Sequence, residues 1–166
     1  MKKFLSPSRV RSFIFGVEDS LVSTVGLLSG VAAAGMSRSS ILLTGVVLIF
    51  VEAFSMGVGD ILSGHAAKEY EEQAQVSLTH ALPEGGVMFF SYLIAGFVPL
   101  FPYLIVEPAQ AFWTSIACSL VALFMLGALG GKLAHGKMAK NGFRMAVIGG
   151  IAIALGVAAG LLVNGI

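Results

Sequence analysis

Five apolar runs, roughly 13–35, 41–64, 86–106, 109–131 and 143–165, occupy most of this 166-residue chain. Each is long enough to cross the hydrocarbon core of a bilayer as an α-helix, which takes about 20 residues. The runs do not alternate in polarity, as the strands of a membrane barrel must. Charged residues make up 11% of the chain and mean hydropathy is +0.92, whereas an ordinary soluble domain is about 25% charged. Too few charges remain to clothe a water-facing surface. The expected architecture is all-α and integral to the membrane: one five-helix bundle spanning 1–166, a short polar connection at 65–85, and no separate soluble domain.

Lys and Arg set the orientation of such a bundle. Lys2, Lys3, Arg9 and Arg11 precede the first span, Lys68 follows the second, and Lys132, Lys137, Lys140 and Arg144 fill the loop after the fourth. The opposite side receives only Arg38. This places the N-terminus in the cytoplasm and the C-terminus, five crossings later, outside. Trp113 and Tyr103 fall near the outer ends of their spans, where interfacial aromatics gather. The basic start is not followed by a small-residue cleavage site, so the first run reads as a retained helix and not as a removed signal.

Several function classes drop out. A net charge of +1 and the lack of a basic stripe interleaved with aromatics leave no case for nucleic acid. Cys118 is the one cysteine, which rules out an internal disulfide and a cysteine-built zinc site; it reads as a small buried hydrophobe. No nucleophile–base pair, phosphate-binding glycine loop or HExxH is present, so the expectation is not an enzyme and no permanently bound cofactor.

The informative residues are acids inside the spans. Glu18 and Asp19 lie in the first run, Glu52 and Asp60 in the second, and neither run contains a Lys or Arg to pair with them. A charged carboxylate near the bilayer centre costs on the order of 3 kcal/mol. Such groups must be protonated, wet, or neutralised by a bound cation. Glu52, Met56 and Asp60 recur at every fourth position, so they fan over less than a quarter turn of helix. Asp19, with Ser20 and Ser23, lies at a depth near Asp60. Carboxylate oxygens suit hard divalent ions and a thioether adds softness; the row reads as a path for iron(II), manganese(II) or a similar ion.

Other features leave alternatives open. Glu18 is either part of the path or a residue snorkelling to the interface. His65, Lys68, Glu69, Glu71, Glu72 and His80 form either a metal-collecting cluster or, more commonly for such a run, a solvated charged face. Pro99 and Pro102 should bend or break the third helix, lining a cavity or ending the span. Gly26, Gly30 and Ala34, and Gly156 with Gly160, repeat at the four-residue spacing that lets helix backbones approach closely.

Four segments carry a resemblance. Phe15 to Thr24 (FGVEDSLVST), with Gly30-Val31-Ala32 beyond it, is similar to the signature G-x-x-D-G-L-V-[ST]…G-V-A. Glu52 to Ser63 (EAFSMGVGDILS) is similar to E-x-x-S-M-x-x-G-E-[YF]-x-S. Pro99 to Tyr103 (PLFPY) and Leu126 to Lys132 (LGALGGK) match the third and fourth helices of the same pattern. Together they make the chain resemble the vacuolar iron transporter family over nearly its whole length. The resemblance implies a protomer that forms a homodimer, a metal path near the first helices of both subunits, and proton-coupled export of iron(II), sometimes manganese(II), from the cytosol. By position it implies path-lining roles for Asp19, Glu52 and Met56, with Asp60 standing where the family has Glu.

Two departures accompany it: Ser20 replaces a Gly, and the long Glu-rich cytoplasmic domain of many members is reduced to about 20 residues at 65–85. The candidate metal residues are therefore Asp19, Glu52, Met56 and Asp60, with Glu18, Ser23, Glu69 and Glu72 behind them. Iron(II) or manganese(II) would be cargo, protons the coupling ion, and lipid, metal ions and a second copy the partners. Competing expectations are a broad divalent exporter and a membrane assembly subunit whose acids pair with a partner helix. Short loops point to a prokaryotic cytoplasmic (inner) membrane; in a eukaryote the place would be a vacuolar or other organelle membrane.

Overall fold

The computed structural model describes residues 6–165; Lys2 and Lys3, counted in the charge asymmetry, lie outside them. Five α-helices follow in order: α1 (Pro7–Ala33), α2 (Arg38–Glu72), α3 (Leu82–Ile105), α4 (Pro108–Leu133) and α5 (Met138–Asn164), with a single 3-10 turn at Leu78–His80. All five are long and apolar enough to cross a membrane, and no strand occurs among the described residues. Because lipid offers backbone amides no partner, a spanning chain must bond them within itself. Helices do this segment by segment.

The helices begin where capping chemistry starts them, not where the apolar runs begin. Ser6 accepts the Arg9 amide at 3.3 Å, with Pro7 in the first turn. α1 therefore opens about two turns before the apolar run does, carrying Arg9 and Arg11 into the helix. Ser37 caps α2 in the same way, accepting from the Ser40 amide at 3.3 Å. At its other end α2 continues past the apolar run to Glu72, with His65–Glu69 at 3.5 Å and Lys68–Glu72 at 3.7 Å spaced i, i+4 along the extension. Most of the 65–85 connection is consequently helical.

The turn between α1 and α2 is tight. Gly35 takes a φ of +72°; its amide bonds the Ala32 carbonyl at 3.0 Å, and the Met36 amide bonds Val31 at 3.3 Å. This Schellman arrangement satisfies the last carbonyls of α1. α4 ends alike, with His135 at φ 54° and the Gly136 amide on the Gly131 carbonyl at 2.8 Å.

α1 is the axial helix, touching each of the other four. It meets α5 through glycines: a Cβ on Gly156 would run into the Gly26 carbonyl, and one on Gly160 into that of Gly30. The four-residue spacing noted in sequence is thus a real seam between α1 and α5. α3 packs on both α1 and α2, and α4 on α5. The outward faces carry large apolar side chains, such as Leu43, Phe54 and Leu162, as a lipid-facing surface requires.

Three expectations fail here. α3 is unbroken from Leu82 to Ile105 with both prolines inside it. The prolines leave the Ala95 and Val98 carbonyls without their usual amide partners. The side-chain donors nearby go instead to the Pro99 carbonyl, from Ser115 of α4 at 2.7 Å, and to the Tyr103 carbonyl at 2.7 Å and the Leu104 carbonyl, from Arg38, where a cation at the helix C-terminus suits its dipole. Tyr103 is not interfacial but fully buried beside Leu28, Ile41 and Leu100; Trp113, by contrast, is exposed. Cys118 is exposed, not buried, because in a bilayer protein an apolar residue can face lipid as readily as the core.

The glycine seam yields a test. Gly156→Ala should destabilise the bundle by about 1–3 kcal/mol through overpacking, whereas Gly150→Ala, whose Cβ would meet nothing within 4 Å, should leave it unchanged. Thermal unfolding in detergent separates the two; equal melting temperatures would refute the seam.

Candidate functional site

α1 presents its polar residues to two different sides. Glu18 faces the α4–α5 junction, where a hollow of about 350 Å³ is lined by Gly127, Gly130, Gly131, Asn141 and Arg144. Asp19 faces α2, near enough to Glu52 for the two charges to repel. Consecutive helical residues point about 100° apart, so adjacent acids cannot share a site.

Around Asp19 and Glu52 the surroundings are polar. Ser23 and the Tyr92 hydroxyl lie 2.7 Å apart in a hydrogen bond, and the Tyr92 hydroxyl stands within the field of both carboxylates. Ser20, one residue beyond Asp19, is buried and donates to the Tyr92 carbonyl at 2.6 Å. The hydroxyl that replaces the family's glycine is thus an α1–α3 tie, fixing the turn that carries Asp19. Glu52 and Met56, one turn apart, are both half-buried. Neither Asp19 nor Glu52 enters an ion pair among the described residues.

Asp60 behaves differently. Two turns from Glu52, it has rotated by about 80° around α2, enough to turn from the half-buried line into the protein. Its side chain is 4% exposed, Arg11 meets one carboxylate oxygen at 2.8 Å, and Ser12 donates to the other at 2.6 Å. The two apolar runs contain no Lys or Arg, but Arg11, just before the first run, reaches Asp60. The helix containing Arg11 starts at Pro7, and its long side chain reaches down to the acid. Nearby, Glu84 of α3 accepts from Ser8 at 3.0 Å and lies 3.7 Å from Arg9. The first turns of α1 are clipped to both α2 and α3.

Of the remaining candidates, Glu69 pairs with His65 and accepts the Val76 amide at 3.4 Å, and Glu72 pairs with Lys68. These contacts are those of a solvated helical face. Among the described residues no three His, Cys, Asp or Glu side chains come close enough together to hold a metal ion. One chain thus brings together Asp19, Glu52, Ser23 and Tyr92, with Met56 a turn away, and keeps Asp60, Glu18, Glu69 and Glu72 apart from them.

Sequence reading missed Tyr92, Arg11 and Ser12. A lone phenol in the middle of an apolar span was a signal for Tyr92. The Ser6-Pro7 cap, which moves the start of α1, was the signal for the other two.

Removing Arg11 should strand a buried carboxylate. Arg11→Ala is expected to cost about 2 kcal/mol, low in the range for a broken buried pair because the arginine side chain is 69% exposed. Arg11→Ala combined with Asp60→Asn should recover part of the loss. A double-mutant cycle on melting temperature measures the coupling, and additive effects would show that the pair contributes nothing.

The VIT family profile matches residues 10–79 and 73–161. Vacuolar iron transporter 1 of Arabidopsis thaliana is 26% identical, over 92% of this chain and 85% of its own length. Vacuolar iron transporter 1 of Oryza sativa subsp. japonica is 25% identical, over 92% and 84%. Vacuolar iron transporter homolog 3 of Arabidopsis thaliana is 26% identical, over 88% and 78%. The alignment to the first runs over 213 positions but covers only about 153 residues here, 92% of 166, so about 60 positions have no counterpart in this chain. The profile's two matches overlap at 73–79, in the connection between α2 and α3. By its sequence profile, matched along nearly all of its length, the chain belongs to the VIT family.

Proposed function

We propose that this protein transports divalent metal ions across the membrane, iron(II) first among them, in exchange for protons. The single observation that carries the reading is the pair Asp19 and Glu52: two half-buried carboxylates on facing helices inside the membrane, near each other and without a cationic partner among the described residues. Opposed like charges in that setting favour occupation by a cation or by protons. The same oxygens can take either, and that mutual exclusion is the basis of exchange. The relatives' names, vacuolar iron transporters, favour iron as the cargo.

Met56, one turn from Glu52, would add a thioether that discriminates against magnesium and calcium. Ser23 and Tyr92 would orient the carboxylates and hold water between them. Two carboxylates and a thioether are too few for an iron(II) coordination sphere, so a homodimer in which two α1–α2 faces meet would complete it. Positive charge on the loops supports a cytosolic start and export outward. The shortened connection means that capture from the cytosol proceeds without a large metal-collecting domain. Asp60 is assigned away from the ligand set, as the anchor of Arg11.

Asp19→Asn and Glu52→Gln should each reduce pH-gradient-driven iron(II) flux in proteoliposomes by at least about tenfold to a hundredfold, the scale already seen for losing a group that only supports a ligand, while the protein keeps its elution profile. Wild-type flux in both would overturn the assignment. Met56→Leu should leave flux measurable but narrow the preference for iron(II) over manganese(II), read by competition in the same vesicles; an unchanged ratio would remove Met56 from the path.

A further inference from the structure

The α3–α4 hairpin is closed at one end and open at the other. On the Arg38 side, Leu100, Tyr103 and Ala111 share one core cluster, and Ser115 bonds the Pro99 carbonyl. Toward the lysine-rich side the two helices diverge around a cleft of about 1170 Å³, whose floor is α1 at Phe13, Val17 and Leu21. It ends where Leu21, Ala95 and Leu123 pack together. From Pro83 to Val98 the rise along α3 is about 22 Å, close to the roughly 20–22 Å of one leaflet with its headgroup region. The cleft is one leaflet deep.

Its lining is hydrocarbon almost throughout. Ser91 is the one hydroxyl in it and is already engaged, donating to the Val87 carbonyl at 2.5 Å. The one charged lining residue is Lys132, at the mouth. Lys137 and Lys140 follow across the Schellman turn, and no acid occurs between 132 and 140. None of these three lysines enters an ion pair among the described residues. Uncompensated positive charge thus stands at the entrance to a slot that matches a lipid chain in depth. A helix of a second copy fits worse, since a cylinder of about 10 Å diameter and that depth fills roughly 1700 Å³, more than the cleft holds.

We propose that this cleft seats one anionic phospholipid of the leaflet on the lysine-rich side, with an acyl chain between α3 and α4 and its phosphate at Lys132 and Lys137. Basic pockets between membrane helices recognise anionic headgroups in this way. The assignment rests on the cleft and the lysines alone and stands apart from the metal path.

The probe is phosphatidylglycerol against phosphatidylcholine of the same chains, supplied in equal amounts to the full-length protein and read as lipid retained in native mass spectrometry. Wild type should favour phosphatidylglycerol by about fivefold for each lysine engaged. Lys132→Gln with Lys137→Gln should bring the ratio near one. Ala122→Trp, which fills the closed end, should lose retention of both lipids, with Ala128→Trp nearer the mouth as its replacement if the first variant does not fold. Equal retention of the two lipids by wild type, an undiminished preference in the double lysine variant, or unchanged retention in the folded tryptophan variant would each overturn the proposal.

Discussion

α1 touches each of the other four helices, and the rest of the bundle is arranged around those contacts. Its glycines admit the backbone of α5, Ser20 ties it to the backbone of α3, and Arg11 with Ser12 clips it to Asp60 of α2. A helix tied at so many points holds its acids at fixed positions in the bundle. The close backbone contact supplies dispersion packing where the hydrophobic effect between helices is absent. The interhelical hydrogen bonds fix its rotation. Asp19 consequently points toward α2, and Glu18 toward Arg144.

The four intramembrane acids meet the demand for neutralisation in different ways. Asp60 has a guanidinium and a hydroxyl on its two oxygens, a permanent solution that ties helices together. Glu18 looks into a glycine-lined hollow with Arg144 at its edge. Asp19 and Glu52 lie close enough for their charges to repel, and the hydrogen-bonded Ser23–Tyr92 pair is nearby. Of the four, only Asp60 enters an ion pair among the described residues.

Shortening between α2 and α3 fits the same picture. The relatives' additional stretch has no counterpart here, yet α2 still projects beyond the apolar run to Glu72, carrying its own ion pairs. On the same side, the α4–α5 turn collects lysines with no acids among them, beside the open end of the α3–α4 hairpin. That side of the molecule is therefore divided between a self-paired acidic and basic helix end and an unpaired basic loop.

Much of this was present in the sequence. Five apolar runs determined five membrane helices, because hydrocarbon leaves an exposed backbone no other choice. The four-residue glycine spacing marked surfaces for close helix approach, which the fold uses between α1 and α5. The row Glu52-Met56-Asp60 determined that acids share one side of α2, but not which of them stay free. That was decided by tertiary structure: an 80° drift along about two turns and a cap that lengthens α1 gave Asp60 to Arg11. The fates of Tyr103, Cys118 and the two prolines were decided there too. In a bilayer protein hydrophobicity does not separate inside from outside, since lipid and core are equally apolar. Only the neighbours of each helix settle which face is buried and which carbonyl finds a donor.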